Sequence, residues 1–474
     1  MTKFQKQMLT IAAAGALTAV TALPAMAFES QFNGSFLVKS YLGNWDRGTG
    51  SSAVPTADKT KTNNVTDQRA RLTYTGKASD DLKLVVQLEM NTRWGNSATG
   101  GGTNTSGMGG GIDTDGLNVA TRWAYLDFNM GKSFNMKVGQ QPYKDALKGL
   151  LIDADLPMAL ATYKAGAYQL RLGYSRFNES IQASGLTGNS FSGDTASDLY
   201  LIENSYSINK GTKVGLAYYL NVDNNKDTGV GGPVKGQDKK VNTLGLSYET
   251  QMGNLNLSGM AAMQMGYQKN LTAAPGTNFH GWAANTVAKM KVGTGLARAG
   301  FLFTSGNNRD DNAHYYGWQS VSASGNYATA GQNSYTDSGM MLLVRNQSMG
   351  GTNTDGYFRK PITNIALAHM GYDANLTEKL YLNGNVGFAW LPASDYLNTN
   401  GGVARVVARN ASDFAGTELN LETGYKLYKN MTLKAQAAYW MLGSAFKNTA
   451  TKTNGTAADP ANPWTMRLAA QYTF

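Results

Sequence analysis

Leu82, Leu84, Val86, Leu88 and Met90 alternate with Lys83, Val85, Gln87, Glu89 and Asn91, a two-residue period that a half-buried strand requires and a helix cannot use. The same period recurs along the chain. Phe134, Met136 and Val138 alternate with Asn135, Lys137 and Gly139, and Tyr168, Leu170, Leu172 and Tyr174 with Gln169, Arg171, Gly173 and Ser175. Leu419, Leu421, Thr423 and Tyr425 alternate with Glu418, Asn420, Glu422 and Gly424. The connections alternate too. Eight are very short, at Ala78-Ser79-Asp80, Gly131-Lys132, Ala165-Gly166, Asn209-Lys210-Gly211, Gln251-Met252-Gly253, Val292-Gly293-Thr294, Thr377-Glu378 and Tyr428-Lys429-Asn430. Nine are long, near residues 45–65, 95–116, 142–155, 179–196, 223–239, 268–278, 306–361, 392–411 and 444–459.

Short turns on one side and long loops on the other are the layout of an all-β, transmembrane antiparallel barrel. A soluble sandwich or solenoid also alternates along its strands but has no reason to alternate its connections so regularly. Eight hairpins supply sixteen strands, and a first strand near 28–45 and a last near 464–474 add two that seal the edge, giving 18. Ser338-Gly339-Met340-Met341-Leu342-Leu343-Val344 is apolar without alternating, and we place it within the seventh loop. If it spans with a partner the count becomes 20, and if one hairpin is false it becomes 16.

The two ends add an address. Lys3 and Lys6 precede an apolar stretch from Met8 to Leu23, and Ala25-Met26-Ala27 supplies a small-x-small cleavage site. Residues 1–27 therefore read as a cleaved signal peptide and 28–474 as one barrel domain. No other apolar run is long enough to cross a membrane as a helix. At the far end Trp464, Met466, Leu468, Ala470, Tyr472 and Phe474 share one face of a terminal aromatic strand. The expected setting is the Gram-negative outer membrane, among lipid and lipopolysaccharide.

The absence of Cys excludes thiolate metal sites and attachment of c-type haem. The formal charge of +10, less the two leader lysines, leaves about +8 on the mature chain. Its basic residues are scattered singly, so nucleic acid is not an expected partner. His280, His314 and His369 have no ligand spacing, and Asp223-Asn224-Asn225-Lys226-Asp227-Thr228 lacks the Gly and the distal Glu of a calcium loop. Gly100 to Gly111 is followed by no phosphate-binding Lys-Ser/Thr. We expect no metal, no cofactor and no enzymatic activity.

The leader, the alternation and the terminal Gln471-Tyr472-Thr473-Phe474 resemble the outer-membrane porins. Gln68-Arg69-Ala70-Arg71-Leu72, Ala124-Tyr125-Leu126-Asp127-Phe128 and Gly139-Gln140-Gln141-Pro142 look most like porins of metal-reducing delta-proteobacteria. The resemblance implies a water-filled channel for passive diffusion of small ions and hydrophilic solutes, with Phe474 as the assembly signal read by the barrel-assembly machinery. It names no solute. The alternative is a structural barrel that serves as sheath or partner of outer-membrane multihaem cytochromes in electron transfer. A homotrimer stays open, because lipid-facing strands are apolar whether or not they form a subunit contact.

An eighteen-stranded barrel leaves an aqueous lumen whose selectivity is set by inward charge. The alternation assigns Lys39, Arg69, Arg71, Lys83, Arg93, Lys137, Arg171, Lys213, Arg298, Lys434 and Arg467 to the lumen, against Asp67, Glu89, Glu203, Glu249, Glu418 and Glu422. Basic residues outnumber acidic ones, so a mild anion preference is expected. Arg122 is left out, because placing it inward would also send Leu126 and Phe128 inward unless a bulge falls near Ala124. Arg69, Arg71 and Arg93 share the lumenal side of one hairpin, where they either guide oxyanions or simply pair with Glu89 and Asp67.

Tyr143 to Pro157 lacks the polar character of the other loops, and Leu147, Leu150 and Leu151 fall at helical spacing. Folded inward, this third loop would bury its leucines on the wall and present Lys144, Asp145, Lys148, Asp153 and Asp155 to the pore; the other reading is an external helix or a subunit contact. Replacing Asp153 and Asp155 by Asn is expected to change ion selectivity in planar bilayers. Unaltered selectivity and conductance would remove the loop from the pore.

Overall fold

The computed structural model describes residues 28–44, 62–95, 110–112, 119–179, 196–224, 238–269, 276–307, 313–321, 333–344, 358, 362–393, 412–448, 450–451 and 457–474. The leader and most of the long connections lie outside these residues. Eighteen antiparallel strands close into a barrel. They are β1 (Glu29–Gly43), β2 (Asn63–Ser79), β3 (Leu82–Arg93), β4 (Val119–Met130), β5 (Phe134–Lys144), β6 (Asp153–Ala165), β7 (Tyr168–Glu179), β8 (Ala196–Asn209) and β9 (Thr212–Asp223). The second half comprises β10 (Lys239–Met252), β11 (Leu255–Gln268), β12 (Trp282–Val292), β13 (Gly295–Thr304), β14 (Ile365–Asn375), β15 (Leu380–Trp390), β16 (Phe414–Tyr428), β17 (Met431–Leu442) and β18 (Trp464–Thr473).

Each strand pairs with its neighbour in sequence, and β18 also pairs with β1, from Ser35↔Thr473 to Gly43↔Thr465. The ladder runs one residue further. Gly34 N–H donates to the carbonyl of Phe474 at 3.0 Å, and Phe474 N–H donates back to Gly34 at 3.1 Å. Gly34 is required here, because a β-carbon would lie 2.6 Å from the Phe474 ring and against the carbonyl of Arg71.

The outer face carries aliphatic residues in its middle and aromatic residues at both rims. Phe32, Tyr163, Tyr206, Tyr248, Tyr372 and Tyr472 stand exposed near the short turns, and Trp94, Tyr200, Tyr267, Trp282 and Trp390 near the long connections. Such girdles flank the hydrocarbon band of a membrane barrel. Met466 and Leu468 of the terminal strand are among the most exposed apolar side chains of that band.

The hydrophobic core sits inside the barrel. The β5–β6 loop contributes Leu147, Leu150, Leu151 and Ile152, and the β13–β14 connection contributes Trp318, Val321, Tyr335, Ile362 and the run Met340 to Val344. These pack on inward-facing Leu199, Leu201, Tyr219, Met260, Leu302, Leu367 and Trp440. Leu147 occupies the space that a side chain at Gly245 would need, on the lumenal face of β10. The Ser338 to Val344 run crosses no membrane and forms no strand.

Two local features depart from simple alternation. β4 has a bulge opposite Gln87 and Leu88, where Trp123 and Thr121 are the partners and Arg122 is the extra residue. The bulge lies two positions before Ala124. β5 runs on to Lys144 and β6 starts at Asp153, so the turn proper is 145–152 and shorter than the 142–155 expected.

Replacing Gly34 by Val forces the chain against the Arg71 carbonyl and the Phe474 ring at the seam. The expected cost is about 1–3 kcal/mol, as for other overpacked sites, read as a lower urea midpoint of the heat-modifiable band on gels.

Candidate solute channel

The inner wall has two halves. From β6 round to β17 its loop-side part is apolar and covered by the two inward segments. From β1 to β5 it carries charge.

On β2 and β3 the register sets Arg71 opposite Glu89, Arg69 opposite Asn91 and Asp67 opposite Arg93. Glu89 lies 2.6 Å from Arg71, 3.6 Å from Arg69 and 3.9 Å from Arg122, so three guanidiniums share one carboxylate. Arg69 also donates to Asn91 at 2.8 Å, and Arg93 reaches Asp67 at 3.3 Å. The four arginines keep 16–33% of their side-chain surface open. Below them Lys83 and Lys137 flank Asp127 at 3.2 and 3.7 Å.

The bulge in β4 explains why Arg122 escaped the alternation. With one residue inserted, Arg122 and Trp123 both reach the lumenal side without turning Leu126 inward. Arg122 donates to Asp155 at 2.7 Å and to Gln87 at 3.2 Å, and Trp123 Nε1 donates to Asp155 at 2.7 Å. Asp127 was missed for the same reason, since the face of this strand could not be assigned.

The β5–β6 turn is held from within. Asp145 accepts N–H groups of Leu147, Gly149, Leu151 and Ile152 at 2.6–2.8 Å and is buried. It is therefore not presented to the pore as the sequence suggested; its carboxylate ties the turn together. Burial pushes that carboxyl up to about 6 against the pull of the N–H groups. Lys148 has a left-handed backbone, φ 64°, and Lys144 lies 3.6 Å from Asp153, which also receives Ser334 Oγ.

On the opposite wall Glu203 receives the hydroxyls of Tyr143 and Tyr219 at 2.8 and 2.6 Å and the N–H of Ala146 at 3.0 Å, and it pairs with Arg171. Below the turn lies a recess of about 380 Å³ bordered by Lys144, Lys148, Arg171, Lys213, Glu203 and Glu249.

Several other residues assigned to the lumen are sealed from water. Glu418 is 0%, Lys39 1%, Asp67 2%, Arg467 3% and Glu422 6% exposed. They face inward yet do not border open solvent, which corrects the expectation that all inward charges line the bore. Glu418 accepts the N–H groups of Met341, Leu342 and Leu343, and Glu422 receives Tyr381 and Gln436. The Arg467 guanidinium lies 5.8 Å from the Tyr41 ring centre. Arg298 pairs with Asp373 and donates to Asn383 and Asn385, and Lys434 donates to Gln471 at 3.0 Å.

The β13–β14 connection was the main omission. Asp337 on it receives Lys289 at 2.7 Å; burial works to raise its carboxyl, but Lys289, Lys148 and Lys144 outweigh that and hold it below the usual range. The signal was present in the non-alternating Met340 to Val344.

No protein-family model and no curated protein matches this chain. Solved structures do. OpdK, an outer membrane protein of Pseudomonas aeruginosa, is 11% identical over 94% of this chain and 98% of its own, with a TM-score of 0.51. OccK9 (OpdG) of the same organism and a BenF-like porin from Pseudomonas fluorescens Pf-5 are each 12% identical with the same coverage and a TM-score of 0.52. The likeness is one of fold: over 94% of its length this chain matches the closed antiparallel barrel of these outer-membrane proteins.

Replacing Glu89 by Gln removes the negative charge shared by Arg69, Arg71 and Arg122. The reversal potential in a potassium chloride gradient is expected to move toward the chloride value. A shift toward potassium, or none, would show that these arginines do not face the ion path.

Proposed function

We propose that this chain is an outer-membrane porin, a water-filled channel for passive diffusion of small hydrophilic solutes with a mild preference for anions. The observation that carries the reading is the basic strip on β2 to β5 facing the two inward loops, where Arg69, Arg71, Arg93 and Arg122 keep part of their surface open. Burial favours the anion reading beyond simple counting. Four of the six strand carboxylates assigned to the lumen, Asp67, Glu203, Glu418 and Glu422, are sealed, whereas of the eleven cations only Lys39 and Arg467 are closed to the same degree. Two structures of similar fold were crystallised with carboxylate-bearing ligands, OpdK with vanillate and OccK2 (OpdF) with glucuronate. They lend the reading support by analogy alone.

In this reading residues 1–27 are removed on export, the terminal strand ending in Phe474 is the mark read by the assembly machinery, and the barrel sits among outer-membrane lipid and lipopolysaccharide. The resemblance to porins of metal-reducing delta-proteobacteria has only the short motifs around Arg69, Asp127 and Gln140 to support it. A cytochrome sheath is the less supported reading, because the lumen is occupied by the chain's own loops and a sheath needs that space for its guest.

Purified barrel reconstituted alone in planar bilayers is expected to give ohmic conductance with a reversal potential on the chloride side. Negligible conductance, with haem protein retained through purification, would overturn the channel reading in favour of the sheath.

A further inference from the structure

Each of the two inward segments is held by one buried carboxylate that takes no part in the charged wall. Asp145 gathers four N–H groups of its own turn. Glu418, reaching in from β16, gathers three consecutive N–H groups of the other segment, Met341 at 2.6 Å, Leu342 at 3.1 Å and Leu343 at 2.8 Å. Asn420 completes its shell at 2.9 Å. Met340 to Val344 is fully or almost fully buried and belongs to no strand, so no ladder satisfies its backbone. Unpaired N–H groups in an apolar core are costly, and Glu418 is what makes this irregular run tolerable there.

The two segments are also joined to each other. Trp318 Nε1 and Asn333 Nδ2 both donate to the Leu150 carbonyl, at 2.9 and 3.0 Å. Val321 N–H donates to Leu151 and Ser334 N–H to Gly149, each at 3.0 Å. Loss of one hold therefore loosens both.

We propose that Glu418 and Asp145 are positioning residues that set the width of the channel, Glu418 by latching one segment to the wall and Asp145 by fixing the shape of the other. Glu418 holds the β13–β14 connection and Asp145 keeps the β5–β6 turn in the shape that receives it. The inference rests on the porin reading for its effect on conduction, but the latch itself has a separate readout.

The chain has no Cys, so Leu342→Cys introduces a single, fully buried thiol into the full-length barrel. In the Glu418→Ala background this thiol is expected to react with a small maleimide about tenfold faster than in the parent, as the segment opens locally. Glu418→Gln, which keeps one good acceptor oxygen, should fall between, and Asp145→Asn should speed the reaction too. Single-channel conductance in the Glu418→Ala barrel should rise about twofold, with larger open-state fluctuations. Heat-modifiable migration on gels identifies folded barrels, and if Glu418→Ala does not fold, Glu418→Gln decides. Folded variants that label no faster than the parent overturn the latch. If labelling accelerates while neither parent nor variant conducts, the latch stands and the porin reading fails.

Discussion

In hydrocarbon no water is present to satisfy a backbone N–H or C=O, so a sheet that spans a membrane must have no edge. Everything in this barrel depends on the seam between β1 and β18. The two strands come from opposite ends of the chain and share nine paired positions, to which the Gly34 and Phe474 exchange adds one. Register there is not free. A slip of one residue would turn Met466 and Leu468 into the lumen and Arg467 into the lipid. The missing side chain at Gly34 and the ring of Phe474 occupy the same volume, which fixes the last rung sterically.

A closed barrel of this width has an inside that alternation alone would make polar. Here Leu199, Leu201, Met260, Leu302, Leu367 and Trp440 face inward and are apolar, and the reason is that two inward segments lie over them. The wall and its covering form one ordinary hydrophobic core, in which apolar residues pack on apolar residues away from lipid. Water is left with the side where Arg69, Arg71, Arg93 and Arg122 stand and with the recess below the β5–β6 turn. The charge a solute meets is therefore decided by where the apolar loops dock.

The strands, their closure and their number were legible in the sequence, because strand period and turn length are local properties. Leu82 to Met90 could be read without knowing any partner. What could not be read depended on contacts between distant residues. Arg122 escaped because one inserted residue in β4 inverts the parity, and nothing local marks the insertion. Glu418 and Glu422 looked like lumenal charge, as inward carboxylates do; only the segment that arrives some seventy-five residues earlier in sequence shows that Glu418 is sealed. The apolar run Met340 to Val344 was visible as an exception to alternation. Its resting place was not, since its acceptor lies on β16 and its neighbours on β14 and β15.

The Leu150 carbonyl accepts from Trp318 and from Asn333, residues 168 and 183 positions further along the chain. Between them lie the strands β6 to β13. The inner core needs those strands to curve far enough to bring the two segments together, and closing so long a stretch of chain makes such contacts slow to form. The covering of this lumen is thus tied to the curvature of its own wall, for the two segments meet only where β6 to β13 bring them round.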